Sequence, residues 1–405
     1  MKIPNNPQTN TLLELSKQCV FCGLCSQYCP TYGYFQDENE SPRGRISLIQ
    51  GLASGQLQAD ATLAQSLDHC LGCQTCERIC PSQVQFGQIM TLARPLYIDK
   101  LDKPWLNRQI VQQLKSHSPG KTQKLAKLIK LARKALPKYL FQNIDKLESN
   151  SKAAQTTYLK QRTNAEKINI FTGCAQSVFD QQAISDTNNI LQSLGYEPVI
   201  NPEQSCCGAL ALRQDDQTNL QHCNSHNQKL LIDPKITTTV FLTSACGARL
   251  RQQFEHQFPQ HQIIDLSTFL LSRNIAINFK ALKQRVLLHT PCSQKALPFQ
   301  TTTSELIGSI PGITLIPITS SCCGAGGSHQ LDYPDMSQAI GNQLIDQIID
   351  AQANILLTSN IGCFTHLQSL LNKRGVKIQV MNPVTLIRQQ LIEENYDSAP
   401  TIHFG

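Results

Sequence analysis

No stretch of this 405-residue chain approaches the run of about eighteen to twenty apolar residues that a membrane-spanning helix needs. Its first residues, MKIPNNPQTN, show neither the apolar core of a secretion signal nor the Arg- and Ser-rich amphipathic character of a transit peptide. These absences lead to the expectation of a cytoplasmic protein. A G-x-G-x-x-G dinucleotide fingerprint behind a strand is also missing, as is any obvious flavin-binding segment. Chemistry on a substrate is therefore expected of a partner and not of this chain. Aromatic residues are scarce at 6%, with a single tryptophan. That scarcity matters between residues 100 and 167, where sixteen Lys/Arg face four Asp/Glu and outweigh the whole net charge of +7. With few aromatics to stack on bases, and without a recognisable binding motif, this block argues against a nucleic-acid partner. It reads as a solvated basic helical face, suited to an acidic protein surface or to anionic lipid at a peripheral membrane site.

Cysteine, by contrast, is abundant. Seventeen are present, an odd number in a chain with no sign of export, and a reducing compartment does not preserve a disulfide framework. Metal ligation is the leading reading, with scattered core thiols as the alternative. A length of 405 residues predicts two or three domains, and 40% apolar content suffices to pack them.

Eight of the cysteines fall into two runs of one pattern, C-x2-C-x2-C-x3-C-P. Cys19, Cys22, Cys25 and Cys29 precede Pro30, and Cys70, Cys73, Cys76 and Cys80 precede Pro81. This is the spacing of bacterial ferredoxins that bind [4Fe–4S] clusters. Thiolates at steps of three let a curled loop wrap one corner of a cubane. The fourth cysteine is expected to start a helix leading away, and the proline keeps the chain from folding back. In two-cluster ferredoxins that fourth cysteine serves the other cluster. Cys19, Cys22, Cys25 and Cys80 are therefore assigned to one [4Fe–4S] cluster, and Cys70, Cys73, Cys76 and Cys29 to the other. A zinc site more often presents separate C-x2-C pairs. Between the runs, SPRGRISLIQGLASG reads as a Pro-Arg-Gly-Arg surface turn, with Arg43 and Arg45 holding negative charge near the clusters as the alternative, leading into an amphipathic helix with Ile46, Ile49 and Leu52 on one face. Helices between the two half-sites make residues 1–100 an elongated helical ferredoxin domain. Residues 101–165 follow as a basic helical connector, in which KLAKLIKLARKAL (124–136) has the pattern of an amphipathic helix with a basic face.

The remaining chain repeats itself. Cys174, the pair Cys206 and Cys207 before Gly208, and Cys246 form one set of landmarks. They recur as Cys292, the pair Cys322 and Cys323 before Gly324, and Cys363, at offsets of 118, 116 and 117 residues. Short apolar runs at 168–173, 197–200 and 238–245 match those at 285–290, 313–318 and 354–360, alternating with helical stretches. Such alternation predicts parallel βαβ units. All eight cysteines lie at or just beyond strand ends and are expected to converge at one carboxyl edge, where ligands bind in such folds. Two α/β units are expected, 166–282 and 283–405. Cys223 falls mid-helix outside the pattern and reads as a buried thiol. Glycine after each cysteine pair supplies positive φ, or room, for adjacent sulfurs to aim at one centre.

With these landmarks the two units resemble the cysteine-rich CCG domain family, which occurs in heterodisulfide reductase subunits and in iron–sulfur subunits of hydroxy-acid and glycerol-phosphate dehydrogenases. SPRGRI (41–46), CCGAGGSH (322–329) and SNIGCFTHL (359–367), with the doubled ferredoxin run, look most like the iron–sulfur subunits of glycolate oxidases. The resemblance covers nearly the whole chain. It implies a multidomain fold: an N-terminal α-helical ferredoxin domain with two [4Fe–4S] sites, then a duplicated α/β CCG domain with parallel sheet. It also implies an electron-transfer subunit that relays electrons from FAD-containing glycolate oxidase subunits toward quinone or another respiratory acceptor. Counterparts in lactate and glycerol-3-phosphate dehydrogenases, and disulfide reduction on the CCG cysteines, are the alternatives. One departure bears on the last. Where the family motif closes C-x-x-C, this chain has Arg249 in the first unit and His366, a candidate ligand, in the second. Cys174, Cys206, Cys207 and Cys246, and likewise Cys292, Cys322, Cys323 and Cys363, stay open between a further iron–sulfur cluster, zinc and thiols.

Overall fold

The computed structural model describes residues 7–115, 165–273, 275, 277–318 and 322–392. The lysine-rich pattern at 124–136 lies outside the described residues.

In the N-terminal part, four helices, Pro7–Ser16, Pro42–Ala53, Ala61–Asp68 and Phe86–Ala93, pack together. They close around Leu12, Ile49, Leu67, Ile89 and Tyr97, each at most 1% exposed. Ile46, Ile49 and Leu52 all face this core, as their spacing predicts. The Pro-Arg-Gly-Arg segment, however, is not a surface turn. Ser41 Oγ accepts a hydrogen bond from Gly44 N at 2.9 Å, Pro42 opens the helix, and Arg45 is buried. A serine cap followed by a proline with pre-set φ starts a helix directly, so these residues are its first turn.

The two cysteine runs end differently. Cys29 caps the short helix Pro30–Phe35, as expected. After Cys80 the chain instead turns, with Gln83 in the left-handed region (φ 52°). Val84 drops into the core, and the next helix starts only at Phe86.

The rest of the chain builds two four-stranded parallel sheets. In the first, β1 (Lys167–Phe171), β2 (Glu197–Val199), β3 (Thr238–Phe241) and β4 (Gln262–Asp265) lie in the order β2-β1-β3-β4. In the second, β5 (Arg285–His289), β6 (Thr314–Ile318), β7 (Ile355–Thr358) and β8 (Gln379–Met381) repeat it as β6-β5-β7-β8. The first three strands of each sheet are the apolar runs seen in the sequence. β4 and β8 are short and carry no cysteine landmark, so the pattern does not mark them.

The two units pair with approximate twofold symmetry. Helix Gln181–Ser193, which follows β1, packs on Pro383–Gln390, which follows β8, and Thr302–Gly308 packs on Leu266–Ser272 in the reciprocal contact. Ile168, Val240 and Phe269 thereby share one core with Val286, Leu357 and Leu386. Each such side chain contributes roughly 1.5–3 kcal/mol on burial. Ser244 N donates to Ser359 O at 2.8 Å, and Asn382 Nδ2 donates to Leu242 O at 3.1 Å. The helical domain docks on the second unit through Leu71, which packs with Met336 and Ile340; just beyond it, Asn107 Nδ2 on helix Trp105–Lys115 of the connector donates to Leu331 O at 2.7 Å.

Candidate metal centres

The first three cysteines lie on a loop curled by left-handed Phe21 (φ 55°) and Gly23 (φ 82°). Cys19, Cys22, Cys25 and Cys80 line one cavity, together with Phe21, Val84 and Arg43. Cys80 thus joins the first run across the domain. Arg43 Nη1 donates to Phe21 O at 3.2 Å and Arg43 Nε pairs with Glu38 at 2.6 Å. A Cβ on residue 23 would stand 2.3 Å from that guanidinium, so glycine is needed for the arginine to span the loop. Burial pushes the Cys19 and Cys25 thiols up from their ordinary range.

Cys29, the last cysteine of the first run, acts on Cys76 of the second. Cys76 is within electrostatic reach of Cys70, Cys73, Cys29 and Cys25, and burial followed by these neighbours pushes its thiol far up. Burial, followed by Cys322 of the second α/β unit, pushes Cys73 up to about 12. Thiols packed in this way ionise together only with cations among them, and metal binding releases their protons. The donor chemistry therefore fits iron–sulfur clusters at both runs.

Beneath Cys29 lies a buried charge relay. Arg45 Nη1 lies 4.0 Å from Cys29 Sγ and donates to Thr31 Oγ1 at 2.9 Å. Its Nη2 pairs with Glu40 at 2.5 Å, and Glu40 Oε1 is 2.7 Å from His69 Nδ1. The guanidinium thus brings positive charge to the sulfur of Cys29, a tuning contact that a surface turn would not provide.

The CCG landmarks gather at two edges, one per sheet, and not at a single edge. The duplication has built two separate sheets, so each carries its own set. In the first unit Cys174 Sγ is 3.5 Å from Cys206 Sγ, Cys207 is buried beside them, and Cys246 rises from helix Ser244–Phe254. In the second, Cys323 Sγ and Cys363 Sγ are 2.7 Å apart, while burial and then Cys322 and Cys73 push the Cys292 thiol up. Cys322 therefore faces the helical domain's second cysteine run.

Gly208 and Gly324 both take left-handed φ, 84° and 80°, but their surroundings differ. A Cβ on residue 208 would meet the flexible end of Leu220 at 3.0 Å, whereas on residue 324 it would meet Ser337 O at 2.3 Å. Gly208→Ala is expected to cost about 1–2 kcal/mol from backbone conformation. Gly324→Ala should cost more, because backbone must move. Denaturation of the two variants in parallel checks this order.

His366 is buried, and its Nε2 lies 3.2 Å from Ser337 O, so that contact occupies one ring nitrogen. Burial lowers its pKa to about 4, which leaves it neutral. Cys223 is buried, as expected, yet it is not remote from the CCG turn. It packs with Cys206 and Cys207, and its Cβ is 3.7 Å from where a Gly208 Cβ would stand.

Residues that join the three parts carry no motif. Arg213, five residues past Gly208, donates from Nη2 to Cys70 O at 2.6 Å and lies 3.0 Å from His329 Nδ1. His329 Nε2 is 2.9 Å from Asp68 O, Tyr333 OH donates to Asp68 Oδ2 at 2.8 Å, and Lys103 pairs with the same carboxylate at 2.8 Å. Burial would raise the Asp68 pKa, but Lys103, Arg213 and Arg94 hold it well below the carboxylate range.

Comparison with known proteins identifies the domains that contain these cysteines. Residues 15–84 match the 4Fe-4S dicluster domain, and residues 168–251 and 286–368 each match the cysteine-rich (CCG) domain. The chain is an iron–sulfur protein with one dicluster domain and two CCG domains. It is 26% identical to the glycolate oxidase iron-sulfur subunit of Escherichia coli K12 over 94% of this chain and 95% of the relative. A probable glycolate oxidase iron-sulfur subunit of Bacillus subtilis is 25% identical over 89% of this chain and 90% of its own length. A subunit of the anaerobic glycerol-3-phosphate dehydrogenase of Escherichia coli K12 is 26% identical over 93% of this chain and 98% of its own length. The dicluster domain accounts for two [4Fe–4S] clusters, and the CCG domains support further iron–sulfur binding. Among the described residues no helix is long and apolar enough to cross a membrane.

Proposed function

We propose that this chain is the electron-transfer subunit of a flavin-dependent glycolate dehydrogenase or oxidase complex, relaying electrons from FAD-containing subunits toward quinone or another respiratory acceptor. The observation that carries this reading is that the first sulfur set has an exposed apolar rim, while the second run is held by the CCG domains. Around the cavity of Cys19, Cys22, Cys25 and Cys80, Val20 is 68% exposed and Leu24 52%, a surface apt for a partner. The Cys70–Cys76 run is covered by Arg213 of one CCG domain and by Leu71's contacts with the other.

In this reading Cys19, Cys22, Cys25 and Cys80 ligate one [4Fe–4S] cluster, and Cys70, Cys73, Cys76 and Cys29 the other. When bound, such clusters supply one-electron transfer, with potentials set by charge and hydrogen bonds. Arg43 fixes the first ligand loop and Arg45 sets the charge beside Cys29. The CCG cysteines, Cys174, Cys206, Cys207, Cys246 and Cys292, Cys322, Cys323, Cys363, hold additional metal. The domains run 1–100, 101–165, 166–282 and 283–405, in a cytoplasmic protein that the basic connector brings to an acidic partner or to the membrane surface.

The test is anaerobic purification of the tagged full chain from its own host at low salt. FAD-containing subunits are expected to copurify, and glycolate to bleach the iron–sulfur absorbance. Capture of a glycerol-3-phosphate dehydrogenase, with bleaching by glycerol 3-phosphate, would overturn the choice of substrate. Assembly should weaken as salt rises, because exposed charge pairing is screened.

A further inference from the structure

The two CCG domains differ three residues past their last cysteine. On helix Ser244–Phe254, Cys246 and Arg249 are i and i+3 and share a face. Arg249 is 8% exposed. Its Nη2 donates to Asn224 Oδ1 at 3.3 Å and to Gln253 Oε1 at 3.1 Å, but its buried Nε has no hydrogen-bond partner. Among the described residues no carboxylate pairs with it. An unsatisfied buried donor costs about 1–3 kcal/mol, and more when it is charged, while an unpaired buried charge costs several more. The neighbours that feel this charge are Cys207 and Cys223. In the second domain the equivalent residue is His366, whose Nε2 faces Ser337 O. The first site is therefore built with a cation and a spare N–H on its own cysteine helix, whereas the second has a histidine there and Arg78 of the helical domain acting on Cys292.

We propose that the group held by Cys174, Cys206, Cys207 and Cys246 is an anionic iron–sulfur cluster whose charge Arg249 balances, donating its Nε–H to a cluster or cysteinyl sulfur in place of a further thiolate. The proposal rests on the reading of the CCG domains as iron–sulfur sites. Arg249 is a positioning and tuning residue. A cation and a hydrogen bond in place of a thiolate make the bound group easier to reduce.

The test uses the full chain, loaded anaerobically with iron and sulfide and titrated potentiometrically with spectroscopic detection. Cys207→Ser is expected to lose iron beyond the share of the dicluster domain. Arg249→Met is expected to retain the dicluster signals while one further component moves to lower potential, its reduced-to-oxidised ratio falling about tenfold at a fixed poise. Arg249→Lys should recover part of that shift, which a merely structural role would not produce. If the Met variant fails to fold, the Lys variant carries the test through a smaller downward shift. Zinc in place of iron at the first CCG site, or Arg249 variants that titrate as wild type with full iron, would overturn the proposal. Neither readout involves a partner, so failure here is distinct from failure of the glycolate assignment.

Discussion

Cys80→Ser is expected to cost the full chain about four irons and to leave the cluster at the second cysteine run intact, whereas Cys29→Ser does the reverse. The basis is the exchange of fourth cysteines between runs. Cys80 lines the cavity of Cys19, Cys22 and Cys25, and Cys29 is among the neighbours that act on Cys76. Pairing by sequence proximity would give the opposite result for each variant. Double variants make the distinction sharp, since residues that serve one site are strongly non-additive. Cys22→Ser combined with Cys80→Ser should lose no more iron than either alone. Cys76→Ser combined with Cys80→Ser should lose both clusters of the dicluster domain. Iron analysis with low-temperature electron paramagnetic resonance reads the outcome.

Glu40→Ala is expected to destabilise the helical domain by about 3–5 kcal/mol, the range found when one partner of a buried ion pair is removed. Arg45 and Glu40 are 1% and 4% exposed. Without the carboxylate, the guanidinium keeps its bonds to Thr31 and Ser66 but loses its buried ion-pair partner, and His69 Nδ1 loses its contact with Glu40. Replacing both residues by methionine should cost less, because removing a whole buried pair is often nearly neutral. The chain has several domains, so a single midpoint does not isolate the effect. Hydrogen exchange along helix Pro42–Ala53 does. Protection that falls equally in Glu40→Ala and in the double variant would show that the pair carries no special weight.

Ligand spacing was legible in the sequence because a cluster demands thiolates at fixed steps, and the repeat was legible because both copies kept their cysteines. Strands β1 to β3 and β5 to β7 stood out as apolar runs ending at a cysteine. The Arg45–Glu40–His69 relay was not legible, since PRGR at a helix start and PRGR in a surface turn read alike until burial is known. Nor was the separation of the CCG cysteines into two edges, which follows from how the two sheets pair and not from any local pattern. Arg213 illustrates the general reason. Its partners, Cys70 and His329, are 143 and 116 residues away, and no periodicity reports contacts at that range.

Iron and acid-labile sulfide per chain, measured on anaerobically purified full-length protein and followed through a cycle of reduction and reoxidation, test the central claim most directly. The account predicts about eight irons from the dicluster domain and more from the CCG domains, with matching sulfide and reversible bleaching. A folded chain that contains zinc in place of iron, with no sulfide and no reversible spectrum, would contradict it.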